Sequence, residues 1–437
     1  MIAKTFRFIL LMLVPSFFSV LQAQNLTKPL TLEQAVQQAV TASRAVQLAQ
    51  TDEKIAGSRF KSTEAFYLPS VSLSYSGFTT NQPLNAFGFK LQQAKVEAAD
   101  FNPAQLNHPG NIFNTLTQLS IQQPLFNADL NQLRKAAAKE TEAAGFISQR
   151  TREGIALQVK QIYLQLVFTY QARKVMEETI TALQAMEKFT GDRYQQGLLQ
   201  KSDWLLVQVQ VKNAETQLAE IISQISILSD QLSLLMNSTE RPVYTVTDVS
   251  INNAAADTVP MTRADVKAMI MGLSGYDLMI NSTKQSMLPR LNAFANYQLN
   301  DKKLLGFGAN GYFAGVQLSW DIFKGNQNKN KIITQGLEKN RLQQELSNRI
   351  EKDNLEIRKA KQQLNDAAYR TTQQQKGIEQ ATEALRILRN RFSQGLVNTT
   401  DVLIAETQLA QQQLQLAQTK MLQKVTAAYL EFLTATE

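Results

Sequence analysis

Two hydrophobic periods take turns along this chain. LTLEQAVQQAVTASRAVQLA places Leu32, Val36, Ala39, Val46 and Ala49 at amphipathic-helix spacing, and the pattern runs to about Phe66. Leu68-Pro69 breaks it. Val71, Leu73 and Tyr75 then alternate with Ser70, Ser72, Ser74 and Ser76, which predicts a strand with one apolar and one small polar face. From Thr79 to Asn114 there is no sustained period, and Pro83, Pro103 and Pro109 predict a long loop. A second strand follows, with Thr117, Leu119 and Ile121 against Gln118, Ser120 and Gln122, and Pro124 is read as its end. From about Asn127 to Asp192 the pattern is helical, and 60 or so residues at 1.5 Å each would extend roughly 95 Å. A return helix carries Val207, Val211, Ala214, Leu218, Ile221, Ile225, Leu228, Leu232 and Leu235 in alternating steps of three and four, a coiled-coil seam.

The plan then repeats. Ser43–Val71 and Arg263–Leu291 align at a constant offset, pairing Leu68-Pro69 with Leu288-Pro289. Leu291, Ala293, Ala295 and Tyr297 mark a third strand, and Tyr312, Ala314, Val316, Leu318 and Trp320 a fourth. A second very long helix has its seam at Leu346, Ile350, Ile357, Ala360, Leu364, Ala367, Ile378, Leu385 and Phe392, and a last helix runs to the C-terminus. RYQQGLLQKSDWLL from Arg193 and RFSQGLVNTTDVLI from Arg391 match without a gap, each a glycine stop followed by a Ser/Thr/Asp helix start. Both read as tips of helical hairpins. The expected division is a leader over 1–23, a first repeat over 24–236, an irregular linker over 237–262 and a second repeat over 263–437.

Composition narrows the class. MIAKTFRFILLMLVPSFFSVLQAQ has Lys4 and Arg7, an apolar run from Phe8 to Val20 and Ala23 at a cleavage position, the form of an export signal. No later run approaches some twenty apolar residues in sequence. With no Cys, a disulfide, a thiolate ligand and an acylated N-terminal Cys are all excluded. The net charge is +8, or +6 once Lys4 and Arg7 leave with the signal, and it is scattered along helical stretches rather than massed, so nucleic acid is not an expected partner. The single histidine, His108, lies in a polar loop without metal-binding or catalytic companions. Met261, Met269, Met271, Met279 and Met287 read first as core filler, with a soft-metal path as the alternative. No cofactor is expected, and nothing here builds an enzyme.

Four strands of about nine residues, apolar on one face and small or polar on the other, with Tyr75, Tyr297, Tyr312 and Trp320 available as interface aromatics, have the signature of a membrane β-barrel. Four strands cannot close. Open edges in lipid would leave backbone groups unpaired at several kcal/mol each, so such a chain must pool its strands with other copies.

In LTLEQAVQQA, the LPS and LPR before strands, QPLF and the RYQQG and RFSQG tips, the chain resembles the TolC-like outer-membrane efflux protein family over essentially its whole mature length. The resemblance implies a mainly helical fold with an internal two-fold repeat and a homotrimer. Four strands per chain would build a twelve-stranded barrel in the lipid of a Gram-negative outer membrane, continued by a periplasmic α-helical barrel. It further implies an exit duct for efflux or type I secretion, docked on a periplasmic adaptor and an inner-membrane RND or ABC pump. Arg193, Gly197, Arg391 and Gly395 fall on the family's adaptor-docking motif, and Asp401, with Ile404 and Asp203, on its periplasmic gate. Where some relatives carry a second acidic residue, this chain has Ile404. The competing reading is a periplasmic adaptor or coiled-coil scaffold without a channel; for the tips it is simple helix termination.

Overall fold

The computed structural model describes residues 27–251 and 256–435. The expected leader and Asn252-Asn253 of the linker lie outside the described residues.

The elements in order are β1 (Thr27–Leu30), α1 (Leu32–Ala42), α2 (Arg44–Ser62), β2 (Ser70–Thr80), α3 (Pro83–Gln92), α4 (Pro103–Asn107), β3 (Ile112–Phe126), α5 (Ala128–Gln195) and α6 (Lys201–Leu235). There follow β4 (Val243–Val246), α7 (Ala264–Gln285), β5 (Arg290–Asp301), β6 (Ala309–Ser319), α8 (Gln327–Ser393) and α9 (Thr399–Leu433). The doubling is close in length: α5 and α8 have 68 and 67 residues, and α6 and α9 have 35 each. At 1.5 Å per residue the two long helices extend about 100 Å. Their seams bury as the period requires, with Val207, Val211, Ala214, Ile225, Leu228 and Leu232 in the first hairpin and Leu346, Ile357, Ala360, Ala367, Leu385 and Phe392 in the second.

β2, β3, β5 and β6 form one antiparallel sheet in that order. Its register stacks Leu73, Leu119, Tyr297 and Tyr312 in one row and Val71, Ile121, Ala295 and Ala314 in the next, so one face is apolar across all four strands. The opposite face carries Ser72, Ser74, Gln118, Ser120, Asn296 and Gln298. It departs from the expected small or polar character at Phe78, Leu116, Phe294 and Phe313. Phe294 and Phe313 pack at 5.4 Å between ring centroids, and a Cβ on Gly315 would lie 3.2 Å from the Phe294 ring.

Four expectations need correction. The single first helix is two, because Ser43 (φ −57°, ψ 136°) leaves helical space between α1 and α2. Arg263, its counterpart by the repeat, has φ −58° and ψ 137° at the start of α7. The region from Thr79 to Asn114 contains α3 and α4, since Pro83 and Pro103 stand in the first helical turn, where a missing N–H costs nothing. β3 continues through Pro124 to Phe126 with a register shift there. β2 has already ended opposite Gln122, so one side of β3 needs no donor at that point. The linker is not wholly irregular: β4 pairs in parallel with β1, Thr27 with Val243 through Leu30 with Val246. Tyr163 secures this pair by donating to the Leu30 carbonyl at 3.0 Å, and Tyr170 by donating to that of Tyr244 at 2.8 Å.

Among the described residues one helix, α6, is long and apolar enough by length and composition to cross a membrane, with a mean hydropathy of 1.2 over its best window. Its apolar seam is packed within the first hairpin against Met176, Ile180, Leu183 and Tyr163.

Candidate functional site at the hairpin tips

The tips are built twice from one backbone device. α5 ends where Gly197 takes φ +72°, letting Leu198 N–H reach the Arg193 carbonyl (2.9 Å) and Gly197 N–H that of Tyr194 (3.0 Å). α8 ends where Gly395 takes φ +75°, with Leu396 N–H on Arg391 (3.0 Å) and Gly395 N–H on Phe392 (3.0 Å). Both are Schellman closures, and the left-handed residue is glycine because a Cβ there meets the following carbonyl. No atom outside its immediate neighbours lies within 4 Å of a Cβ placed on Gly197, so that surface is open.

The return helices start differently. At α6 the Asp203 carboxylate accepts the Gln200 N–H at 3.3 Å, so this acid is engaged as a cap. At α9 the roles exchange: Asn398 Oδ1 accepts the Asp401 N–H at 2.8 Å, and the half-buried Asp401 carboxylate does no capping. One turn on, Ile404 is 63% exposed, while Leu403 is buried with Val207 and Val211 of α6, so α6 and α9 adjoin beside Asp203 and Asp401.

Arg193 and Gly395 are brought together. The Arg193 guanidinium donates to the Ser393 carbonyl at 2.6 Å, lies 4.8 Å over the Phe189 ring, and would stand 3.8 Å from a Cβ on Gly395. Phe189 and Phe392 pack at 5.3 Å beneath it. Arg193 therefore ties one tip to the other, whereas Arg391 is exposed. Glu406 is buried and paired with Arg389 at 2.6 Å, lining a groove of about 470 Å³ between the hairpins. Sequence reading missed Trp204, which stacks on Tyr194 at 5.7 Å and 16° across the first tip. The signal was present in Gly191, whose absent side chain leaves the indole its space: a Cβ there would be 3.2 Å from Nε1.

It also missed a charged cluster where α5, α7, α8 and the end of α9 meet. Arg263 is fully buried, bonded to Asp265 (2.6 and 2.9 Å), to Asp353 and to the Leu433 carbonyl (3.0 Å). Burial alone would lower its proton affinity, but the two carboxylates hold it above the usual guanidinium value. Burial would likewise raise the Asp265 carboxyl, yet the bonds from Arg263 and the fields of Arg150 and Arg349 keep it below the ordinary range. Arg150 is lowered, chiefly by burial, although it bonds Glu153 at 2.7 Å; its guanidinium lies 3.5 Å over the Phe432 ring.

The four expected interface aromatics all sit on or beside the sheet. Tyr297 and Tyr312 are directly opposed, Tyr75 lies one row farther from the helices, and Trp320 follows β6 at the helical end and donates to the Met287 carbonyl at 2.9 Å. Of the methionines, Met269 packs into the second-half core, while Met261, Met279 and Met287 are exposed. His108 is exposed beside a 110 Å³ cavity.

Residues 261–436 match the family model described as outer membrane efflux protein. Among solved structures, CusC is similar with a TM-score of 0.79 at 14% identity, over 93% of this chain and 92% of that one. The outer membrane protein VceC of Vibrio cholerae gives 0.75 at 18% identity, over 93% and 96%. The MtrE outer membrane channel of Neisseria gonorrhoeae gives 0.73 at 12%, over 93% and 89%. No curated protein matches by sequence. At these identities the structural likeness is one of fold.

Proposed function

From the match of residues 261–436 to the outer membrane efflux protein model and the fold shared with CusC, we propose that this chain is a TolC-like outer-membrane efflux protein, one of three identical subunits of a passive exit duct. The observation that carries this reading is the sheet. β2 and β6, of 11 residues each, pair only inward, so both edges are open, and one face is apolar across the whole width. In lipid those edges must be satisfied, and head-to-tail pairing of β6 with β2 of the next copy does so while closing a ring. The long hairpins continue the wall into the periplasm. Substrate would pass along the polar face, with no step of chemistry, from a pump held through an adaptor at the tips.

In this reading Gly197 and Gly395 let a partner backbone approach, exposed Arg391 donates to it, and Arg193 holds the two tips in register. Three copies of Asp401 and Ile404 would ring the inner end of the duct with alternating charge and apolar surface, the charge favouring cations. Expressed in an envelope lacking its own duct, the chain should form detergent-extracted trimers that conduct in planar bilayers and restore efflux. Gly197→Leu with Gly395→Leu should keep the trimers and abolish efflux; full resistance in that variant would remove the docking role. A mature chain that is monomeric and water-soluble without detergent would overturn the channel itself.

A further inference from the structure

The two loops at the far end of the sheet lean opposite ways. The β2–β3 loop folds over the polar face: Phe89 packs on Phe78, Gln93 donates to Asn114 Oδ1 at 2.9 Å, and Asn114 donates to Asn300 Oδ1 at 2.9 Å. The β5–β6 loop, 302–308, folds over the apolar face instead. Leu305 N–H donates to the Tyr75 hydroxyl at 2.9 Å, and Thr115 Oγ1 donates to the carbonyls of Asp301 (3.0 Å) and Lys303 (3.1 Å). By register, Tyr75 and Thr115 belong to the face that carries Leu73, Leu119 and Tyr297.

This loop is tightly built. The Asp301 carboxylate fills its centre and accepts Lys303 N–H at 3.1 Å, and a Cβ on Gly306 would lie 2.4 Å from Asp301 Cγ, so only glycine fits. Leu305 sits at φ +59°, a conformation costly for a branched side chain. The Tyr75 hydroxyl and the Asp301 carboxylate, which also pairs with Lys95 at 3.8 Å, hold the backbone in this shape. The loop turns Leu304 (71% exposed), Leu305 (71%) and Phe307 (57%) outward, directly after exposed Lys302 and Lys303.

Resting on the outer-membrane reading above, we infer that the β5–β6 loop is a binding site for an anionic, phosphate-bearing lipid of the outer leaflet. Acyl chains lie against Leu304, Leu305 and Phe307, in continuity with the apolar face, and phosphate is held by Lys302 and Lys303. Anions meet cations at the rim and hydrocarbon meets hydrocarbon below it.

The test uses the full mature trimer, stripped of lipid and offered phosphatidylglycerol or phosphatidylcholine vesicles, with bound lipid counted after re-extraction. The wild type should prefer the anionic lipid, and Lys302→Gln with Lys303→Gln should reduce that preference by roughly thirtyfold, two cations' worth. Leu305→Gly should retain less lipid of either kind yet melt no lower in detergent, since glycine relieves the strained backbone; a residue of purely structural use would show the reverse. Normal trimers and conductance with unaltered lipid preference in the lysine variant would overturn this site while leaving the duct intact. A water-soluble monomer would overturn both.

Discussion

The two halves of the chain have the same skeleton and different fastenings. Ser43 and Arg263 share one backbone conformation at equivalent helix starts, but the Ser43 side chain makes no capping bond whereas Arg263 gathers Asp265, Asp353 and the last turn of α9. The tips share their glycine closures, yet an acid caps α6 and an amide caps α9. Duplication of shape thus fixes lengths and turns, and leaves each half free to carry its own charges.

The largest expected break in this pairing is at the buried cluster. Arg263→Ala leaves Asp265 and Asp353 without their cation and should cost about 3–5 kcal/mol, whereas Ser43→Ala should stay within about 0.5 kcal/mol. Thermal melts of both variants measure the gap, and equal losses would mean that the cluster is merely peripheral. Since Asp265 titrates below the usual carboxylate range, the cluster stabilises above the unfolded value of about 4 and is lost as pH falls through the lower folded one. The stability gap between the two variants should therefore hold from neutral pH to about 5 and close below it.

A smaller contrast separates the tip arginines. Arg193→Ala removes a bond to Ser393 and a cation over Phe189, and should destabilise the tips by about 1–2 kcal/mol. Arg391→Ala should leave the melt unchanged while weakening adaptor capture in a pull-down; if Arg391→Ala alone melts early, their roles are exchanged. The acids offer the finest contrast. Asp203→Ala should cost about 1 kcal/mol through its lost cap, with conductance nearly unaltered. Asp401→Ala should cost less and reduce cation block in planar bilayers, and an unchanged block would remove the charged ring.

Much of this was legible in sequence because the responsible forces are local. Glycine after a long seam predicts the closures at Gly197 and Gly395, and the three-four spacing from Val207 to Leu232 predicts the buried face that α6 presents. Strand alternation from Val71 to Tyr75 gave the sheet its faces. What escaped was nonlocal or carried by ambiguous residues. β1 and β4 are four residues each and pair across more than two hundred positions, so neither shows a period. Pro83 and Pro103 start helices as readily as they break them, and only their neighbours' bonds decide. Arg263 carries no local mark of burial, because its second acid, Asp353, lies far along the chain. At the tips the repeat gives both arginines one expected role, and only the fold shows that Arg193 reaches Ser393 of the other hairpin.

The unlike edges of the sheet have a genetic corollary. In the proposed three-subunit ring, closed by β6 against the next β2, every subunit lends two different edges to two equivalent seams, so one copy with a ruined β6 opens the wall however sound its neighbours are. Alleles that damage β6 while sparing the helices should therefore be dominant. Expressed equally with the wild type, such an allele would leave roughly one ring in eight free of the defect.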